Sequence, residues 1–85
     1  MYTVYTLYSE QFNKIYIGQT ENIERRMFEH NNGLLSIYSK RYKPWKVVYT
    51  EEYPTRAEAM KRERQLKSQK GREFIRKIIR EKYQI

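Results

Sequence analysis

The chain has 85 residues and a formal net charge of +8, from 18 basic and 10 acidic side chains, and this length predicts a single domain over residues 1–85. With no cysteine and one histidine, the sequence excludes a disulfide scaffold, a cysteine-ligated zinc site, a thiol nucleophile and a histidine-cluster metal site. No run approaches the length of a membrane span and the N-terminus lacks a secretory signal pattern, so we expect a cytoplasmic protein with no membrane contact.

The N-terminal segment predicts a β-hairpin. Residues 2–8 and 14–18 are rich in β-branched and aromatic side chains, which is typical of strands, and a turn of four or five residues joins them. One register places Tyr5 directly across from Tyr16 on the same face. Such a tyrosine pair usually serves packing, but it also brings two phenol hydroxyls together.

A helix is predicted after the hairpin, with Thr20 as its cap and its end near His30, before the Asn-Asn-Gly of residues 31–33. Helical spacing places Arg26 at the edge of the apolar arc and Arg25 on the opposite side. An inward guanidinium needs a partner, because an unpaired buried charge is unfavourable. Alternatively, the stem of Arg26 covers apolar surface and its head reaches water.

Residues 34–46 are predicted to be irregular or to form a short helix, and residues 45–53 form a third strand. Aromatic and basic side chains alternate between positions 38 and 46. This composition suits contact with the phosphates and bases of a nucleic acid, although a solvated loop anchored by a buried Trp45 would also explain it. The candidate nucleic-acid-binding residues in this stretch are Lys40, Arg41 and Lys43.

Two helices are predicted in the C-terminal part. Thr55 and Glu58 form a capping box, and the helix that they begin runs to about Lys70. Gly71 is expected to break it, and a last helix covers residues 72–83. The element order is therefore β-β-α-(loop or short α)-β-α-α, which predicts an α+β fold with a small antiparallel sheet and helices packed on it.

Glu63 is an unexpected residue for the inner face of the first of these helices. It lies in the middle of the apolar arc, where a carboxylate needs a cation, either a side chain or a metal ion. An internal salt bridge with Arg26 or Lys67 would also explain the position, as would a loosely packed, wet helix face. The arc itself is defined by Ala59, Met60 and Leu66.

The positive charge is concentrated in the C-terminal part. Residues 1–53 carry a net charge of +1, whereas residues 54–85 carry +7. A one-sided excess of this kind is typical of nucleic-acid-binding proteins, although a solvated lysine-rich surface remains the alternative. The further candidate contacts in this part are Lys67, Lys70 and Arg72.

Taken together, these residues resemble the GIY-YIG endonuclease superfamily over nearly the whole chain. Thr-Val-Tyr at positions 3–5 stands where the family has Gly-Ile-Tyr, and Tyr-Ile-Gly at positions 16–18 matches its second motif. Arg26 and His30 follow at the family's spacing. The chain looks like the small stand-alone bacterial members, which are similar in turn to the nuclease domains of the excision-repair endonuclease and of intron homing endonucleases.

The resemblance implies a three-stranded antiparallel sheet flanked by helices and cleavage of DNA phosphodiesters with one divalent metal ion, Mg²⁺ or Mn²⁺. By position, Tyr5 and Tyr16 are the active-site tyrosines, Arg26 is the catalytic arginine and His30 supports them. Glu63 is the metal ligand. Tyr16 is the first choice for the general base or hydrogen-bonding tyrosine, with Tyr5 as the alternative.

Two departures from the family pattern are visible. Thr3 replaces a glycine, and the asparagine that many members carry near the end of the domain has no clear match. Two rival functions therefore accompany the nuclease hypothesis. One is a non-catalytic nucleic-acid-binding module with the same fold, and the other is a nuclease domain that needs a partner protein for targeting, because a chain this small has little surface for sequence readout.

Overall fold

A computed structural model describes residues 1–84, and the predicted element order and α+β class are confirmed. The short helix that the sequence left open is present. None of the helices in residues 1–84 is long and apolar enough to cross a membrane. The elements are β1 (Tyr2–Ser9), β2 (Lys14–Thr20), α1 (Ile23–Asn31), α2 (Ile37–Arg41), β3 (Lys46–Tyr53), α3 (Arg56–Lys67) and α4 (Gln69–Tyr83).

The three strands form an antiparallel sheet in the order β2-β1-β3. The predicted hairpin register is wrong by two residues, since Tyr5 pairs with Gly18 and Leu7 pairs with Tyr16. The strands extend to a four-residue turn that closes on Asn13, which tolerates its positive φ of 53°. Because side chains alternate with a period of two, this shift keeps both tyrosines on the same face.

Each face of the sheet carries its own core. On one face the strands pack against α3 and α4, and on the other they pack against α1 and the segment that leads into β3. The first core contains Val4, Tyr8, Ile15, Ile17, Val48, Ala59, Leu66, Ile75 and Ile79. The second contains Tyr5, Leu7 and Trp45, with Tyr16, Ile23, Met27 and Tyr42 packed against them. The buried Trp45 is thus an anchor, and β3 begins one residue after it.

The cap of α1 is Asn22 and not Thr20 as predicted. The side chain of Asn22 accepts a hydrogen bond from the backbone N–H of Arg25 at 3.0 Å. Thr20 is the last residue of β2, where it pairs with Thr3, and its hydroxyl oxygen accepts from the backbone N–H of Asn22 at 3.2 Å. Strand pairing therefore keeps Thr20 extended, and the capping role passes to the next suitable side chain.

The predicted break at Gly71 is also wrong, because α3 ends at Lys67 and Ser68 separates the two helices. The Ser68 hydroxyl accepts from the N–H of Gly71, which lies in the first turn of α4. A Cβ at position 71 would overlap the backbone of Gln65 and Leu66. The glycine therefore allows the end of α3 to approach the start of α4, instead of ending a helix.

A half-buried carboxylate fixes α3 to the sheet. Glu51 on β3 accepts hydrogen bonds from Arg62 Nε at 2.9 Å and Nη2 at 3.0 Å, and also from the hydroxyls of Tyr49 and Tyr53. A two-pronged arginine–carboxylate contact has a defined geometry as well as charge. Since Arg62 precedes Glu63, this clamp also sets the position of the predicted metal ligand.

We expect Glu51→Gln to lower the free energy of unfolding at neutral pH by about 1–3 kcal/mol, whereas the exposed neighbour Glu52→Gln changes little. Burial by itself raises the pKa of Glu51, but the hydrogen bonds from Arg62, Tyr49 and Tyr53 outweigh it and hold the pKa below its usual value. The contribution is therefore present above the unfolded-state pKa and is lost as the pH falls through the folded-state pKa.

Denaturant unfolding at a series of pH values measures this difference. The gap between wild type and Glu51→Gln should close as the medium becomes acidic below the ordinary glutamate pKa. A gap that stays constant from neutral to acidic pH would show that the clamp makes no charge-dependent contribution.

Candidate active site

Tyr5 lies at the centre of the site and is almost fully buried. Its hydroxyl is 3.0 Å from Nε2 of His30, in a buried hydrogen bond. Its ring passes over Gly18, where a Cβ would lie 2.7 Å from the Tyr5 hydroxyl. The glycine of the Tyr-Ile-Gly motif is therefore required by the close approach of this side chain.

Tyr16 is the second tyrosine of the site, and it is half-buried on the edge strand β2. Its ring is stacked on that of Tyr5 with the centroids 6.3 Å apart, and it meets the His30 ring edge-on at 4.6 Å. The predicted convergence of Tyr5, Tyr16 and His30 is therefore present in the structure, although it comes from a diagonal and not a direct cross-strand pair.

His30 is fully buried at the end of α1 and connects two hydroxyl groups. Its Nε2 meets Tyr5, and its Nδ1 is hydrogen-bonded to the hydroxyl of Ser39 on α2. Ser39 is also fully buried, and its carbonyl accepts from Trp45 Nε1 at 2.8 Å. The sequence analysis missed Ser39, because a serine in a five-residue helix carries no periodic signal.

The environment keeps the His30 ring neutral. The pKa of His30 is lowered to about 4, mainly by burial and also by the positive charge of Arg26, which Glu29 opposes only in part. At neutral pH the imidazole therefore carries one proton on one nitrogen, so it can donate one hydrogen bond and accept another.

The environment likewise keeps Tyr5 protonated. Burial is the largest cause that raises the pKa of Tyr5, and the neighbouring Tyr16 adds to it. Arg26 acts in the opposite direction, while the negative charges of Glu63 and Glu29 raise the pKa again. Tyr5 is therefore a neutral phenol in the free protein, and the charges of Arg26, Glu63 and Glu29 all act on it.

Arg26 has the inward orientation that the helical spacing predicts. It is half-buried on α1, whereas Arg25 is exposed. Its Nε lies 3.6 Å from Oε1 of Glu29, and both of these buried atoms lack a hydrogen-bond partner in residues 1–84. The two side chains attract each other electrostatically, but the Nε–H of Arg26 donates no hydrogen bond within these residues. A phosphate oxygen would satisfy this guanidinium well.

Glu63 is half-buried on α3, as predicted, with 22% of its side chain exposed. Of the two salt-bridge partners that the sequence suggested, the structure selects Lys67, whose Nζ is 2.8 Å from Oε2. Met60 does not belong to the buried arc, because it is 40% exposed. The arc is centred on Ala59 and Leu66, and Glu63 lies at its margin instead of its middle.

The site offers few ligands to a metal ion. Residues 1–84 contain no group of three or more His, Cys, Asp or Glu side chains that could hold one together. Mg²⁺ commonly keeps several waters and binds one or two carboxylates plus substrate phosphates. The hard oxygen of Glu63 is partly accessible and is paired with the exposed ammonium of Lys67, so it fits a cation shared with a bound phosphate.

Two clefts lie along β2, one on each side of Gly18. One has a volume of about 190 Å³ and the other about 230 Å³. Both carry cationic side chains, so an anionic chain could run along this strand past the tyrosines. The first is lined by Ile15, Tyr16, Ile17, Tyr38, Lys67 and Arg72, and the second by Tyr2, Gln19, Thr20, Glu21, Arg25, Arg26 and Arg56.

The predicted nucleic-acid contacts divide into two groups. Lys67 and Arg72 line the first cleft, as a binding role would require. Lys70 is exposed in the first turn of α4 and lines neither cleft. The same holds for the exposed residues Lys40, Arg41 and Lys43 on and after α2.

The aromatic residues of the 38–46 stretch pack on one another. Tyr38 is stacked on Trp45 with the centroids 5.9 Å apart and meets Tyr42 edge-on at 4.9 Å. The Tyr38 hydroxyl donates to the carbonyl of Ile15 at 3.1 Å. Most of this aromatic surface is therefore structural, and Tyr38 alone of the three lines the cleft beside Tyr16.

Residues 1–78 match the family of the GIY-YIG catalytic domain. The chain belongs to the GIY-YIG nuclease family. The match covers the strands, the first three helices and most of α4, so it includes each of the site residues described above. The three-stranded antiparallel sheet flanked by helices, expected from the resemblance, is confirmed.

Three UPF0213 proteins illustrate what this chain is similar to. A UPF0213 protein of Staphylococcus saprophyticus is 41% identical over 54 residues, which is 64% of this chain and 66% of that protein. A UPF0213 protein of Natronomonas pharaonis is 39% identical over 54 residues, 64% of each chain. The chain thus matches just under two thirds of the length of these relatives. The solution structure of UPF0213 protein BH0048 from Bacillus halodurans has a TM-score of 0.53 and 28% identity, covering 92% of this chain and 85% of that one.

Proposed function

We propose that this GIY-YIG protein is a DNA endonuclease that hydrolyses phosphodiester bonds with the help of Mg²⁺ or Mn²⁺. The observation that carries the proposal is the arrangement around Tyr5. Its hydroxyl contacts His30, its ring stacks on Tyr16, and the charges of Arg26 and Glu63 act on it electrostatically. Purely structural tyrosines would not require a half-buried arginine and a half-buried carboxylate at the same point.

Arg26 is the residue suited to the phosphate. Hydrolysis builds negative charge on the phosphorus-bound oxygens, and preorganised donors aimed at that charge provide much of the rate enhancement. The planar guanidinium can grip two oxygens, which a lysine ammonium cannot do equally well. About a third of the Arg26 side chain is exposed, and its 3.6 Å contact with Glu29 is longer than a hydrogen bond, so the guanidinium is available to a phosphate.

The two tyrosines are suited to different tasks. Tyr16 is half-buried and lines the cleft, so it can reach a water molecule there and is our candidate for the general base. Tyr5 is buried and its pKa is raised, so it keeps its proton and is suited to donate a hydrogen bond. Glu63 would hold the divalent cation, which supplies charge neutralisation at the phosphate when it is bound.

A continuous basic surface supports DNA as the substrate. Lys67 and Arg72 line both the cleft beside Tyr16 and a larger groove of about 520 Å³ on α4. The groove continues along one side of α4, where Arg76 and Arg80 follow at intervals of one helical turn, and Glu73 is its acidic residue. We propose that the DNA backbone runs along β2 and onto this arginine row.

Cleavage of labelled duplex, branched, single-stranded and damaged DNA, with Mg²⁺, with Mn²⁺ and with EDTA, tests the proposed function. We expect nicking of at least one substrate with either metal and none with EDTA. Binding of these substrates without cleavage in any metal would instead support the non-catalytic module. Because so small a domain reads little sequence, we also propose that a partner protein directs it to its target in the cell.

DNA binding is expected to depend strongly on salt. With about three to six phosphate contacts, the slope of log K against log salt concentration should be roughly −3 to −5 on duplex DNA. Replacing Arg72 and Arg80 together by alanine should reduce the magnitude of this slope by about 2 and weaken all sequences alike. Fluorescence anisotropy at a series of salt concentrations measures both quantities.

The matched control is the double alanine variant of Lys61 and Arg64, two exposed cations of α3 that line neither the clefts nor the groove. This variant carries the same change in net charge. If it flattens the slope as much as the α4 variant does, net charge and not the arginine row determines binding.

A further inference from the structure

Three buried groups form a hydrogen-bonded chain that leads from the core to the cleavage site. The Ser39 hydroxyl is bonded to Nδ1 of His30, and Nε2 of the same ring is bonded to the Tyr5 hydroxyl at 3.0 Å. All three side chains are at most 1% exposed. A neutral imidazole has one N–H and one bare nitrogen, so the protons of this chain must all point in one direction.

The two directions have different consequences for Tyr5. If His30 is protonated on Nδ1, it donates to Ser39, and Tyr5 must donate to Nε2. The phenol proton is then turned away from the substrate. If His30 is protonated on Nε2, it accepts from Ser39 and donates to the Tyr5 oxygen. The phenol proton is then free to point into the site.

The surroundings of Ser39 favour the second direction. Its backbone N–H bonds to the Ser36 hydroxyl at 3.1 Å and its carbonyl accepts from Trp45 Nε1. Within residues 1–84, the hydroxyl of Ser39 has Nδ1 of His30 as its hydrogen-bond partner. If Nδ1 were the donor, the hydroxyl proton of Ser39 would be buried without an acceptor. Such a buried donor loses its hydrogen bonds to water without replacing them, which is strongly unfavourable.

Tyr5, at the other end of the hydrogen-bonded chain, has different surroundings. Glu63, Glu29, Arg26 and Tyr16 all act electrostatically on its hydroxyl. The Tyr5 hydroxyl lies against Gly18 of the edge strand β2, and Tyr16, which is stacked on Tyr5, lines the open cleft. A phenol proton that is turned away from the imidazole therefore faces the side of the site where water or substrate supplies acceptors. When Ser39 donates to His30 and His30 donates to Tyr5, the Ser39 hydroxyl proton therefore has an acceptor.

We propose that Ser39 is a positioning residue that holds His30 in the Nε2–H tautomer and thereby turns the hydroxyl proton of Tyr5 into the site. The low pKa of His30 agrees with a neutral ring, which the chain requires. Resting on the proposed nuclease function, the consequence for cleavage is that Tyr5 donates a hydrogen bond to the phosphate or to the attacking water. In the opposite tautomer it could offer only lone pairs to an anionic substrate.

Nitrogen-15 NMR of the imidazole ring tests the tautomer directly, because protonated and bare ring nitrogens have well-separated chemical shifts. The protein has one histidine, so the assignment is unambiguous. In the wild type at neutral pH, we expect Nε2 to be the protonated nitrogen. Ser39→Ala should give a mixture with a substantial Nδ1–H population, and Ser39→Thr should restore the Nε2–H form. A wild-type ring protonated on Nδ1 would overturn the proposal, whether or not the variants fold.

Ser36→Ala is the matched control. It removes the cap of α2 but leaves the Ser39 hydroxyl in place. It therefore distinguishes the effect of a loosened helix on the tautomer from the effect of losing the Ser39 hydroxyl. A pure Nε2–H ring in Ser39→Ala, or an equal shift in Ser36→Ala, would contradict the role of Ser39.

Cleavage of the preferred DNA substrate gives the second measurement. We expect Ser39→Ala to lower the cleavage rate about 10-fold and Ser39→Thr to stay near the wild type. If no DNA is cut by any form of the protein, the proposed function fails, but the tautomer is still decided by NMR. If the tautomer is wrong and DNA is cut, only the role of Ser39 fails.

Discussion

Replacing Arg26 by alanine is expected to slow DNA cleavage about 100- to 1,000-fold, which is the usual effect of removing a preorganised donor from developing negative charge. Arg26 is half-buried, and its 3.6 Å contact with Glu29 is longer than a hydrogen bond, so a phosphate oxygen would become the main hydrogen-bond partner of its guanidinium. Arg26→Lys should recover only a small part of the rate, because an ammonium lacks the planar fork. Single-turnover cleavage measures the effect without the complication of product release.

The matched control for this experiment is the neighbouring residue. Arg25→Ala removes the same charge from the same helix. Both arginines line the second cleft, but Arg25 is exposed whereas Arg26 is half-buried. We expect weaker binding and a nearly unchanged single-turnover rate at saturating protein. A larger rate loss for Arg25→Ala than for Arg26→Ala would show that Arg26 is a structural arginine, whose stem merely covers apolar surface.

Glu63→Gln is expected to abolish metal-dependent cleavage while leaving the fold intact. The amide keeps the size of the side chain but loses the negative charge that a hard divalent cation requires, and metal assistance is worth several kcal/mol, or at least about 100-fold in rate. The lost ion pair with Lys67 is a partly exposed i,i+4 contact, worth only about 0.3–0.5 kcal/mol. The melting temperature should therefore change by at most a few degrees.

Two further variants separate the possible roles of Glu63. Lys67→Met removes the same ion pair without touching the carboxylate, and Glu58→Gln removes an exposed carboxylate from the first turn of the same helix. Titration of Mg²⁺ against cleavage rate should give both of these variants a metal requirement close to that of the wild type, whereas Glu63→Gln should stay inactive at every Mg²⁺ concentration. Equal cleavage by wild type and Glu63→Gln, with a large loss of thermal stability in the variant, would make Glu63 a structural residue.

The unusual positions of two charged residues could be predicted from the sequence because helical periodicity is a local property. The 100° step between residues separates Arg26 from Arg25, as the structure confirms, and it turns Glu63 inward, although Glu63 lies at the margin of the buried arc and not in its middle. Helical spacing alone did not show which charges would pair. The partner of Arg26 is Glu29 on its own helix, and that of Glu63 is Lys67.

Where the sequence prediction was wrong, a tertiary contact had replaced a local preference. Thr20 is a good capping residue, but pairing with Thr3 keeps it in β2. Gly71 has the lowest helix propensity of the residues in α4. It nevertheless lies inside this helix, because Ser68 caps the helix and the end of α3 leaves no room for a Cβ. Propensity is a weak preference that such contacts routinely override.

The element order and the α+β class could be predicted from the amino-acid sequence, and so could the GIY-YIG family, from the spacing of Tyr5, Tyr16, Arg26 and His30. These follow from local periodicity and from motifs that lie close together in the chain. The packing of these elements, in contrast, places Tyr5 over Gly18, connects it through His30 to Ser39 and opens clefts along β2. Ser39 is nine residues from His30 and on another helix, so its role depends on how α1 and α2 pack, which no local pattern encodes.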